Sequence, residues 1–114
     1  MDEENKRRFH PTDEDLVEAL SRMLSDDHYE MSVHIWLEDF ERRGDSGQRA
    51  IGIVRRWMAQ QESIEGLRVG AACLRRVGER ADLALLERDY VGPQEEVASI
   101  RQNTAFEIRK RSLV

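Results

Sequence analysis

Cysteine is almost absent from this chain: Cys73 stands alone among 114 residues, so no disulfide can form within the chain. A small secreted domain stapled by disulfides is excluded, and a reducing, cytoplasmic setting is expected. Proline is also scarce, at two residues, Pro11 and Pro93, which leaves long stretches where helices can run uninterrupted. Aromatic residues make up 6% of the chain, and lysine occurs only at Lys6 and Lys110, so arginine supplies nearly all the positive charge. No apolar run approaches the ~18 residues needed to span a membrane, and the acidic start Met1-Asp2-Glu3-Glu4 is unlike a secretory signal.

What is present is charge, at 36% of residues, beside 39% in the apolar class. That balance suits a helix-rich soluble domain and is too apolar for wholesale disorder. The length suits one domain, which buries roughly two thirds of the surface of its unfolded chain. The net charge of −5 is unevenly spread. Residues 1–45 hold 14 acidic and 6 basic side chains, and residues 46–114 hold 9 and 12. Nucleic-acid binding needs a concentrated basic face, and only the second half could provide one, so nucleic acid is not expected as a partner.

Helical periodicity divides the chain into six segments. Thr12 caps the first, with Asp13, Glu14 and Asp15 at its positive end and Leu16, Val17, Leu20, Met23 and Leu24 on one stripe. Ser25-Asp26-Asp27 breaks or recaps the chain before a second helix over 28–43, with Val33, Trp36, Leu37 and Phe40 inward. Gly44 closes that helix, and Ser46 caps a third over 48–60, carrying Ile51, Val54, Trp57 and Met58. Ser63 caps a fourth, which ends at Gly78. A short fifth uses Leu83, Leu85, Leu86 and Val91. Gly92-Pro93 breaks the chain before a sixth helix, opened by Glu95 and Glu96 and closed by Arg109, Lys110 and Arg111. No segment shows the sustained alternation of a strand.

The segments repeat. Phe40, Leu74 and Ile108 are spaced 34 residues apart, as are Leu37, Ala71 and Ala105, and Leu16, Ala50 and Ala84. A fixed period of this size marks stacked helical pairs whose apolar faces only their neighbours can cover. It accounts for the small residues Gly70, Ala71 and Ala72, which let helix axes approach closely. The expected fold is all-α: a right-handed stack of about three antiparallel helix pairs, six helices in an α-solenoid. It follows an N-terminal arm at 1–11, occupies a single domain at 12–111, and ends in a tail at 112–114. Leu37, Ile51 and Leu74 are expected in the core.

The run "LRVGAACLRRVGERADLALLER" resembles a short bacterial HEAT repeat. Leu67-Arg68 fills the apolar–Arg start, Ala71-Ala72 the alanine-rich middle, Val77-Gly78-Glu79 the apolar–Gly–acid close, and Leu83, Leu85 and Leu86 the second helix. Residues 100–108 are a weaker copy in which Asn103 and Thr104 depart from the pattern, and residues 33–45 keep Gly44-Asp45 but place Trp36 where a small residue is usual. The tetratricopeptide family shares the period but not the motif, and ranks second.

No catalytic motif stands out, so no enzyme activity, cofactor or metal site is assigned. His34 and Glu38, one turn apart, could touch a metal together, but read better as a solvated face. Cys73 reads as a buried, inert thiol despite Arg68, Arg75 and Arg76 nearby in sequence. The HEAT resemblance implies a non-catalytic protein–protein interaction module, an adaptor or scaffold, because such arrays present broad binding faces. The expected surface lies on helices one, three and five, through Asp15, Glu18, Arg22, Arg49, Arg55, Arg56, Asp82, Glu87 and Arg88. The alternative is a small acidic inhibitor or immunity protein that neutralises a basic toxin or nuclease; a more remote one is a phycobilin-lyase-like protein. The partner is another protein, with self-association through the exposed edges of the first and last helices as the other outcome.

Overall fold

Thr12 starts the first helix as its sequence demands. Its hydroxyl accepts the Asp15 backbone N–H at 3.2 Å, and the Asp15 carboxylate accepts the Thr12 N–H at 3.0 Å, a reciprocal capping box. The computed structural model describes residues 11–44 and 47–112. Most of the expected arm and tail, and the capping role expected of Ser46, fall outside these residues.

Six α-helices make up the described chain: α1 (Asp13–Arg22), α2 (Tyr29–Arg42), α3 (Gly47–Met58), α4 (Ile64–Val77), α5 (Leu83–Leu86) and α6 (Gln94–Ser112). Single 3₁₀ turns, Met23–Ser25 and Arg80–Asp82, follow α1 and precede α5. No strand is present among the described residues; one isolated bridge joins Ser63 to Val91. The all-α expectation therefore holds. The Ser25-Asp26-Asp27 break also holds: Asp26 accepts the His28 N–H at 2.8 Å and the Ser32 hydroxyl at 2.5 Å. The Ser32 bond, followed by the His28 bond, holds the Asp26 carboxyl below its ordinary pKa.

Helix α4 is the hub. It packs against α2, α3, α6 and the first 3₁₀ turn, while α1 packs on α3. Between Gly66 and Leu74 every residue of α4 except Arg68 is buried. Leu37, Ile51 and Leu74 all lie in the core, as the sequence predicts, as do Phe40 and Ile108. Gly70 allows the close approach of α3: a Cβ there would fall 2.4 Å from Met58 Sδ and 2.5 Å from Met58 Cγ. Cys73 is fully buried, which pushes its thiol pKa up to about 12 and keeps it protonated near neutral pH.

Two local readings are corrected. Ser63 makes no side-chain cap bond; the start of α4 is held by backbone pairing, with Ile64 N–H on the Val91 carbonyl at 2.9 Å and Val91 N–H on the Glu62 carbonyl at 2.8 Å. That pairing turns the Val91 side chain outward, where it is 76% exposed, so Val91 is no core residue of a fifth helix; Tyr90 is buried in its place. Gly78 ends α4 as expected, in an extended conformation at φ −69° and ψ 153°. Glycine is required there because a Cβ would lie 2.6 Å from the Leu74 carbonyl oxygen. Gly44, at φ +74°, does supply the left-handed turn that closes α2.

The last turns of α3, α4 and α5 are closed by arginines from far along the chain. Arg88 donates to the Met58 carbonyl at 2.6 Å, and Arg101 to the Leu86 carbonyl at 2.5 Å and to that of Arg88. Arg111 donates to the carbonyls of Leu74 (2.9 Å), Gly78 (2.7 Å) and Arg75. A planar guanidinium offers several donors in a fixed fork, which a lysine ammonium cannot match, and this gives the arginine bias of the chain a structural use. Arg111→Ala is expected to cost about 1–2 kcal/mol in urea unfolding, with Arg111→Lys recovering less than half. Full recovery by lysine would show that only charge matters at this helix end.

Candidate interaction surface

Three of the positions expected on α3, Arg49, Arg55 and Arg56, form cross-helix ties. Arg49 reaches from α3 to the Asp13 carboxylate at 3.3 Å and the Pro11 carbonyl at 3.2 Å, and its guanidinium lies 5.9 Å from the Phe40 ring centroid. Further along, Arg56 approaches Glu14 at 3.9 Å, and the Trp57 indole N–H donates to the Ser21 hydroxyl at 3.0 Å. Glu18 and Arg22 pair within α1 at 2.8 Å.

Between α3 and the α5 region the ties are tighter. Arg55 donates to both carboxylate oxygens of Asp82, at 2.5 and 3.1 Å, and lies 3.8 Å from Glu79. Asp82 also accepts the Glu79 backbone N–H at 2.8 Å. The Asp82 hydrogen bond is the main cause that raises the Arg55 pKa above its ordinary value. Asp82 is 2% exposed, so it cannot present itself to a partner, and its place on the expected surface is withdrawn. Charge periodicity alone could not reveal this, because the residue that makes burial tolerable lies 27 positions away.

The remaining expected positions separate by role. Arg88 caps α3 and lies 5.9 Å from the Tyr90 ring centroid, and Asp15 belongs to the capping box. Glu18, Arg22, Arg56 and Glu87 are exposed, as is Glu14, which the sequence reading did not place on this surface. The ion pairs among them are solvent-screened, each worth at most about 1 kcal/mol, so they can be exchanged for contacts with a partner at little cost.

The structure also exposes apolar side chains that the sequence reading did not single out: Met31 and Ile35 on α2, and Phe106 on α6. The signal was available. Met31 and Ile35 are one turn apart on the side of α2 away from Val33 and Phe40, and Phe106 stands opposite Val97, Thr104 and Ile108. Within the interior, the Trp36 indole nitrogen and the Thr104 hydroxyl find no hydrogen-bond partner among the described residues.

His34 lies between Glu38, 3.0 Å from its Nε2, and the Arg76 guanidinium at its Nδ1, so both ring nitrogens have protein neighbours. Among the described residues no group of three histidine, cysteine, aspartate or glutamate side chains is placed to hold a metal. A cleft of about 390 Å³ lies between the first 3₁₀ turn and α4; Asp26 on its wall already accepts two hydrogen bonds. No described helix is long and apolar enough to cross a membrane. No family model, curated protein or solved structure matches the chain.

Proposed function

We propose that this chain is a non-catalytic protein–protein interaction module, built as a HEAT-like two-layer stack of helix pairs, that engages its partner through the charged face of α1, α3 and α5. The observation that carries the reading is the recurrence of contacts between alternate helices. Asp13–Arg49 and Ser21–Trp57 advance together along α1 and α3. Arg55–Asp82 and Met58–Arg88 continue from α3 to the α5 region. His34–Arg76 links α2 to α4, and Arg68–Glu96 (2.6 Å) and Arg111–Gly78 link α4 to α6. These ties support the reading that helices two apart in sequence lie side by side and point the same way, the relation that a stack of antiparallel pairs requires.

A face of mutually paired, exposed charges favours recognition by charge register over greasy area. It also disfavours the acidic-inhibitor alternative, since Asp13, Glu14 and Glu18 are already matched by Arg49, Arg56 and Arg22. The test compares partner capture by the native chain and by a variant combining Glu18→Arg with Arg56→Glu. Arg55 is unsuited to this purpose, because its substitution would strand the buried Asp82. Native chain should retain one stoichiometric partner that the variant loses by about tenfold or more, with a changed salt dependence and an unchanged helical circular dichroism signal. Equal capture by both chains would refute the face assignment.

A further inference from the structure

Helix α6 carries two seams. One faces the core, where Val97, Thr104, Ala105 and Ile108 are buried. The other faces away from it. Glu95, Ser99, Gln102, Phe106 and Arg109 follow one another at steps of four and three residues, the spacing of a helix–helix seam, and all five are exposed. Phe106, at the centre of its C-terminal half, is 63% exposed.

The same strip is short of charge. From Val97 to Phe106 the only ionisable side chain is Arg101, and its guanidinium is turned inward onto the Leu86 and Arg88 carbonyls. In a chain that is 36% charged, the outer side of a solvent-facing helix would ordinarily carry charge throughout. Here charge is confined to the ends, acidic at Glu95 and basic at Arg109 and Lys110. Neither Glu95 nor Lys110 has an ion-pair partner among the described residues.

We propose that this outer seam of α6 binds a second copy of the same chain, as an antiparallel helix pair whose two-fold axis passes between Gln102 and Asn103. In that register each Phe106 ring lies over the partner's Ser99, whose small side chain leaves room for it. Gln102 meets the partner's Asn103, and Glu95 meets the partner's Lys110. The two-fold axis makes every contact twice. A parallel pair would instead set Glu95 beside the partner's Glu95 and Lys110 beside the partner's Lys110, so the charge order of the helix selects the antiparallel arrangement. One helix pair buries less than the ~1,600 Å² of a standard stable interface, so the association is weak, with a Kd on the order of 100 µM. This contact is separate from the α1/α3/α5 face and stands or falls independently of it.

Sedimentation equilibrium of the full chain between about 10 and about 500 µM brackets that Kd. The apparent mass should climb from the 13.3 kDa of one chain towards twice that value. Phe106→Glu should hold the mass at one chain across the range, with circular dichroism unchanged because the residue is exposed. Glu95→Lys and Lys110→Glu should each weaken association by about tenfold, and the two together should restore it to within about threefold of native. A single-chain mass at every concentration would overturn the proposal. So would a dimer that survives Phe106→Glu, or a charge exchange that fails to restore association.

Discussion

Leu74→Ala is expected to lower the stability of the fold by about 4 kcal/mol, towards the upper end of the 2–5 kcal/mol that such truncations cost. The residue is 0% exposed on the helix that packs against α2, α3 and α6. The cost of a truncation depends on how far the surroundings collapse into the space left behind. Around Leu74 they are held apart: Arg111 ties α6 to the last turn of α4, Arg68 and Glu96 tie the two helices near their other ends, and Gly70 already brings α3 to contact distance through Met58. Leu37→Ala should cost less, because Leu37 is 8% exposed and borders a surface cleft into which neighbours can relax. Urea unfolding of both variants checks this ordering. A loss below about 1 kcal/mol for Leu74→Ala would place the residue outside the core.

Arg55→Ala should cost about 3 kcal/mol, and more than Asp82→Ala. The asymmetry follows from exposure: the Arg55 side chain is 37% exposed and that of Asp82 only 2%. Removing the arginine leaves a buried carboxylate with a single backbone N–H donor, whereas removing the aspartate lets the guanidinium turn to water or to Glu79. The double variant should therefore be more stable than Arg55→Ala alone, by about 1 kcal/mol or more. Arg55→Lys should remain well below native, since one ammonium cannot reproduce the two-pronged bond. Equal costs for the two single variants would mean that Asp82 is hydrated in solution.

Much of this fold is legible in the sequence because the features that write it are local. The reciprocal cap of Thr12 and Asp15 spans three residues, Gly44 sits at the turn it makes, and the apolar stripes of α1 to α4 recur at the helical period. The 34-residue register places Phe40, Leu74 and Ile108 on alternate helices and in the core, as found. What the sequence hides is decided at a distance. The fifth helix stops at Leu86, short of Val91, whose backbone pairs instead with Glu62 and Ile64. Val91 and Tyr90 exchange roles because a bridge to Ser63 sets which side chain turns inward.

The same holds for the candidate surface. Arg88, Arg101 and Arg111 each look like ordinary solvated cations, and nothing local shows that they close other helices, 13 to 37 residues away. The spacing of Glu18, Arg22 and Arg56 on outward positions was readable, because exposure follows from the helical period; the burial of Asp82 was not.

The charged face proposed for α1, α3 and α5 depends on helices two apart in sequence lying side by side. The most direct measurement is the nuclear Overhauser spectrum of the Trp57 indole N–H, which donates to the Ser21 hydroxyl 36 residues earlier. Cross-peaks from that proton to Ser21 and its neighbours on α1 are predicted. Cross-peaks confined to α3 and its immediate sequence neighbours would contradict the stacked arrangement, and with it the charged face proposed for α1, α3 and α5.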